Sequence, residues 1–191
     1  MTETPNPHIR DADTMTGEMR PIRRAVLSLG SNLGERLPTL QGAVDTLADT
    51  PGVSVVAVSP VYETAPVDAA EGSGDFLNVV VLVDTTLSVH TLLERCRAVE
   101  DAFGRERAQA ATKAAAPRTL DVDLIVVGER IANDADLVLP HPRAHRRAFV
   151  LRPWLDVDPD GQIPGQGAVA DLVDTVDDST ISRRGELHIV V

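Results

Sequence analysis

The chain has 191 residues, 43% of them hydrophobic, and carries 18 basic against 29 acidic side chains for a net charge of −11. That length supports one domain with a buried core plus tails, and that charge argues against nucleic acid or an anionic membrane as partner. Cys96 is the single cysteine, which excludes an intrachain disulfide and suits a reducing cytoplasm, and no apolar run approaches the ~18 residues of a membrane span.

Residues 1–21 hold Pro5, Pro7, Pro21 and mixed charge with little to bury, so they predict a disordered leader. Ala25-Val26-Leu27-Ser28-Leu29 predicts the first strand, ended at Gly30. Gly30-Ser31-Asn32-Leu33-Gly34 reads as a turn. It resembles a phosphate cradle but lacks the lysine of a P-loop and the glycine spacing of a dinucleotide fingerprint, which favours a purely structural turn. Leu37, Leu40, Val44 and Leu47 recur at helical spacing and predict a helix over 35–49, stopped by Pro51-Gly52.

The β-branched run Val53–Val58 predicts a second strand. Two prolines, Pro60 and Pro66, break the chain after it, and a mobile loop is expected from there to Gly74. A third strand is expected from Phe76 to Val83, with Phe76 and Asn78 on one face. Core packing is the alternative role for Phe76. Ser88 is a candidate N-cap for an amphipathic helix over 89–103 built on Leu92, Leu93, Cys96, Val99 and Phe103, ended by Gly104. Glu100 lies off the centre of its apolar stripe, where a solvated helical glutamate is the plain reading. The alanine-rich run Ala108–Ala116 has nothing to anchor it to a core. It predicts a flexible loop that delivers Arg105, Arg107 and Lys113 to the next strand.

That next strand, the fourth, is the organising stretch. In Pro117-Arg118-Thr119-Leu120-Asp121-Val122-Asp123-Leu124, aliphatic and acidic residues alternate. Period-two alternation places both carboxylates on one face, about 7 Å apart, suited to one or two hard cations. Acidic residues on the wet face of an edge strand would look the same. Further on, Leu137–Pro142 is extended and ends in two prolines. Arg143, His145, Arg146 and Arg147 cluster ahead of Phe149-Val150-Leu151, either as a solvated patch or, in so acidic a chain, as an anion site. Pro153–Gly165 reads as loop, Val169, Leu172 and Val173 as a short helix, and Glu186–Val191 as an edge strand or tail.

The element order β-α-β-β-α-β predicts an α+β, ferredoxin-like sandwich with C-terminal additions, its second and third strands pairing antiparallel. The expected layout is a leader at 1–21, a domain at 22–175 and a tail or edge strand at 176–191. Paired strand carboxylates flanked by arginines suit a magnesium-bound polyphosphate and phosphoryl transfer.

The motifs Leu29-Gly30-Ser31-Asn32-Leu33-Gly34, Val61-Tyr62-Glu63-Thr64-Ala65-Pro66 and Asp75-Phe76-Leu77-Asn78 occur in order. They are followed by Glu100 through Gly104-Arg105, Pro117–Leu124, Leu139-Pro140-His141-Pro142 and Arg147-Ala148-Phe149-Val150-Leu151. Over residues 24–160 the chain resembles bacterial 6-hydroxymethyl-7,8-dihydropterin pyrophosphokinases. The resemblance implies a folate-pathway enzyme that moves pyrophosphate from ATP to the dihydropterin and releases AMP; a cytoplasmic monomer is expected. It implies that Asp121 and Asp123 hold two Mg²⁺ ions. Arg105 and Arg118 would neutralise charge in the transition state, and Glu100, Arg107, Arg118, His141 and Arg147 would bind ATP. Phe76 and Phe149 would stack on the pterin, and Thr64, Asn78 and the backbone of Val67 would hydrogen-bond its edge. Ala65 stands where the family commonly has proline. Ala114-Ala115-Ala116 stands where it carries a tryptophan in the catalytic loop. Losing that contact, worth about 1.5–3 kcal/mol if fully buried, predicts reduced activity. The rival readings are a homologue that binds pterin or nucleotide without turnover, or with weak activity, and a metal-dependent phosphodiesterase or nuclease.

Overall fold

The computed structural model describes residues 20–66, 74–104 and 119–191. Of the expected leader, only Arg20 and Pro21 are described, and the alanine-rich loop, with Arg105, Arg107, Lys113 and Arg118, lies outside the described residues, as does Val67.

The first strand, β1, spans Arg23–Ser31, longer at both ends than its apolar run because neighbours on both sides complete its ladders. Helix α1 (Arg36–Ala48), strand β2 (Val53–Val58), and helix α2 (Val89–Ala102) fall where periodicity predicts. Gly34 makes the turn into α1 at φ +64°, which favours a residue without Cβ. Ser88 caps α2 by accepting from the Thr91 N–H at 3.1 Å.

The break expected after β2 contains a strand, β3, of three residues, Tyr62–Thr64. Lying between Pro60 and Pro66, it is too short to show a period. Its hydrogen bonds come from two partners distant in sequence: β4 (Phe76–Thr85) and β10 (Ile181–Arg183). The acidic strand is therefore the fifth, β5 (Asp121–Val127), and not the fourth. Two short hairpins follow, β6 (Ala132–Asn133) with β7 (Val138–Leu139), and β8 (Gln162–Ile163) with β9 (Gly167–Ala168).

Between the hairpins, a 3-10 turn (Ala144–Arg146) leads into helix α3 (Ala148–Val157). This corrects the loop expected from Pro153 onward. Pro153 sits inside α3 and forfeits a helix hydrogen bond, a loss on the order of 3 kcal/mol in an isolated helix. Burial of Val150, Leu151, Pro153 and Trp154 against the sheet offsets that loss. Helix α4 (Val169–Val173) is short, as expected. The C-terminal edge strand is Ile181–Arg183, and not the Glu186–Val191 stretch. Beyond it Leu187 and Ile189 pack on the core, and Val190 exchanges two hydrogen bonds with Gln41 of α1.

Among the described residues the main sheet has six strands. β5, β1, β4 and β2 lie side by side, all antiparallel, while β3 and then β10 extend from the other end of β4. This is the ferredoxin-like arrangement, and β2 pairs with β4 as expected. Alternate residues of β1 feed two cores. Ala25, Leu27 and Leu29 pack under α1 and α2, whereas Val26 joins Val80, Leu82, Ile125 and the α3 residue Trp154 on the other face.

Candidate active site

Cross-strand register sets the site. Gly30 of β1 lies opposite Asn78 on one side and Asp121 on the other, and Tyr62 lies opposite Asn78. Directly paired residues share a face. Tyr62, Asn78, Gly30 and Asp121 therefore form one row across four strands. Thr64 and Phe76 pair in the row in front, and Val80, Ser28 and Asp123 form the row behind. All of them lie on the α3 face of the sheet, at the end toward Phe76.

Each position has a local cause. Gly30 leaves space that a side chain would take: a Cβ there would stand 3.0 Å from Asn78 Oδ1 and 3.6 Å from the Phe76 ring. The Asn78 amide donates to Thr64 Oγ1 at 2.9 Å, in a buried pair. The Tyr62 hydroxyl donates to Asp156 of α3 at 2.7 Å. Burial, together with that bond, pushes Tyr62 up to about 12, so it stays a donor.

Asp121 and Asp123 are both half-buried on the shared face, and Val122 and Leu124 turn into the opposite core, as alternation predicts. Arg147 donates to Asp123 Oδ2 at 2.8 Å, and its guanidinium carbon lies 5.3 Å from the centre of the Phe149 ring. His141 Nε2 lies 3.6 Å from the same Asp123 oxygen, while its Nδ1 accepts from the Arg143 N–H at 3.2 Å. Burial lowers the His141 pKa, aided by Arg147 and Arg143 and against the pull of Asp123. The ring is thus neutral near pH 7, with its Nε2 proton toward the carboxylate.

The structure thus joins Asp123, His141 and Arg147 around one oxygen, and Thr64, Phe76 and Asn78 in adjacent rows. Arg143 and Arg146 are exposed, and His145 and Arg146 line a groove with Ala65 and Gln166. Glu100 is not solvated: it is 4% exposed and accepts from the Val122 N–H at 2.8 Å, on the outer edge of β5. That bond satisfies an edge-strand donor between the two aspartates. Sequence reasoning missed Glu63, which is half-buried between Arg36 at 2.8 Å and Arg184. Its one signal was an acidic residue alternating with Tyr62 and Thr64.

A family model described as 7,8-dihydro-6-hydroxymethylpterin-pyrophosphokinase matches residues 26–159. The chain belongs to this pyrophosphokinase family. A 2-amino-4-hydroxy-6-hydroxymethyldihydropteridine pyrophosphokinase of Methylorubrum extorquens is 41% identical over 162 residues, covering 85% of this chain and 99% of the relative. The pyrophosphokinase of the same description from Mycobacterium leprae is 48% identical over 157 residues, covering 76% of this chain and 78% of its own. Among solved structures, the Plasmodium falciparum HPPK-DHPS wild type with pteroate superposes with a TM-score of 0.62 at 14% identity, over 83% of this chain. An HPPK-DHPS in complex with substrates gives 0.65 at 12% identity, over 85% of this chain. This chain spans just under half of those longer chains, 43% and 48%, and the likeness establishes the shared fold.

Proposed function

We propose that this pyrophosphokinase transfers pyrophosphate from ATP to the hydroxymethyl group of 6-hydroxymethyl-7,8-dihydropterin, giving the pterin diphosphate and AMP in folate biosynthesis. Family membership supports the reaction, and the shared sheet face of Asp121 and Asp123 supports its chemistry.

Among the described residues no group of three or more His, Cys, Asp or Glu side chains forms a metal cage. Magnesium needs no such cage, because it keeps water and takes one or two carboxylates plus substrate phosphates. Two half-buried carboxylates on one strand face fit that donor set, and Asp121 and Asp123 would hold two ions. The ions would supply charge neutralisation along the triphosphate. Arg147 would exchange its bond with Asp123 for a phosphate oxygen, with the neutral His141 beside the same carboxylate. Arg105, Arg107 and Arg118 are assigned to the phosphates by resemblance, and Glu100 acts on the nucleotide side through the β5 backbone that it holds.

The pterin end carries different chemistry. Thr64 and Asn78 offer paired hydrogen-bonding groups to a flat heterocycle, and Phe76 and Phe149 offer aromatic faces, while the Val67 backbone is assigned to the pterin edge by resemblance. The protein works as a cytoplasmic monomer in this reading. No helix among the described residues is long and apolar enough to cross a membrane.

No observation favours the non-catalytic alternative. The deciding experiment follows AMP by chromatography with ATP, Mg²⁺ and the dihydropterin. AMP should form only when all three are present. ATP cleavage without the pterin would point instead to a phosphohydrolase.

A further inference from the structure

Resting on the reading above that Thr64 and Asn78 hold the pterin, we propose that Glu63, clamped between Arg36 and Arg184, positions the Thr64-bearing strand for that substrate. The C-terminal strand is then a working part of the pterin site.

Three residues make a strand too short to hold itself in place. β3 is held from both sides. On one side, Arg36 at the start of α1 donates to Glu63 at 2.8 Å and to the Asp75 carbonyl at 2.7 Å. Glu63 precedes Thr64 and Asp75 precedes Phe76, and Thr64 and Phe76 are cross-strand partners. One guanidinium thus grips the residue before each member of that pair. On the other side, Arg184 donates to Glu63 through its guanidinium and to the Val61 carbonyl through its backbone N–H at 2.8 Å. The Ala65 N–H donates to the Thr180 carbonyl at 3.3 Å, so the C-terminal segment brackets Thr64.

The Glu63 side chain is 17% exposed, against 31% for Arg36 and 36% for Arg184. Strand alternation turns it away from the pterin face, on which its neighbours Tyr62 and Thr64 lie. It therefore acts on the substrate only by fixing its neighbours. Arg184 lies beyond residues 26–159, the span matched by the family model. The clamp thus joins a family motif to a segment outside that match.

The test is steady-state kinetics of full-length Arg184→Ala, Arg184→Lys, Glu63→Gln and Asn78→Ala, run well below each variant's melting temperature. Arg184→Ala and Glu63→Gln should raise the pterin KM on the order of fivefold, the equivalent of one partly exposed ion pair. The ATP KM should not move. Arg184→Lys, which keeps the charge, should recover part of the loss. A raised pterin KM in Asn78→Ala with an unchanged one in Arg184→Ala overturns the clamp alone. Joint rises in both KM values, without recovery by lysine, also overturn it, since they mark general loosening. An unchanged pterin KM in Asn78→Ala overturns the pterin assignment and the clamp together.

Discussion

Two halves of one sheet face have opposite fates. Toward α3, Val26, Val80 and Leu82 are at most 2% exposed and share a core with Trp154. A few residues along the same strands, the face carries Asn78, Gly30, Asp121 and Asp123, and Asp123 is 29% exposed. Both halves obey the same alternation. They differ in how completely they are covered, and the cover is thinnest on β5, at the half-buried Asp121 and Asp123. Apolar rows repay burial at about 25 cal/mol per Å², whereas taking carboxylates fully out of water costs several kcal/mol each. The site therefore lies where the cover ends, and Arg147 and Phe149, at the entry to α3, stand at its edge.

The comparison can be broken from either side, and the polar half should give the largest effect. Asp121→Ala or Asp123→Ala should lower turnover about a thousandfold, the equivalent of several kcal/mol of lost charge stabilisation. Thermal melting should stay close to the parent, since neither side chain packs in a core. A large fall in melting temperature would reassign the pair to structure.

The apolar half should respond in the opposite sense. Trp154→Ala should cost roughly 3–5 kcal/mol in urea unfolding. The KM values of the protein that remains folded should not change. Asn78→Ala stands between the halves. It removes a buried donor from Thr64, and its pterin KM should rise roughly tenfold, matching the loss of about one hydrogen-bonding group. The ATP KM serves as its internal control.

The smallest effect is on pH. Burial alone would raise the Glu63 pKa, but its bonds to Arg36 and Arg184 outweigh burial and hold it below its usual 4.5. A depressed carboxylate stabilises the fold above its unfolded pKa, and that contribution is lost as pH falls through the folded value. The stability gap between parent and Glu63→Gln should therefore be constant from pH 7 to about 5 and should close below 4.5. A gap that persists at acid pH would show that the clamp does not depend on charge.

Much of this was legible in the chain. Apolar, β-branched and alternating runs predicted four of the main sheet's strands, and helical spacing predicted α1 and α2. The alternation of Asp121 and Asp123 placed both on one face before any register was known. Local pattern failed where long-range partners decide. β3 exists because β4 and β10 flank it, α3 passes through Pro153 because Trp154 must be buried, and Glu100 is buried because Val122 presents an edge N–H. The row Asn78–Gly30–Asp121 was likewise hidden, since register between strands far apart in sequence leaves no local trace.

The most direct test of the central claim is calorimetric titration with a non-hydrolysable ATP analogue, with and without Mg²⁺, on the parent and on Asp121→Asn/Asp123→Asn. Magnesium should strengthen binding markedly in the parent and have little effect in the double variant. Equal magnesium enhancement in both proteins would contradict the claim that these two carboxylates hold the metal-bound triphosphate.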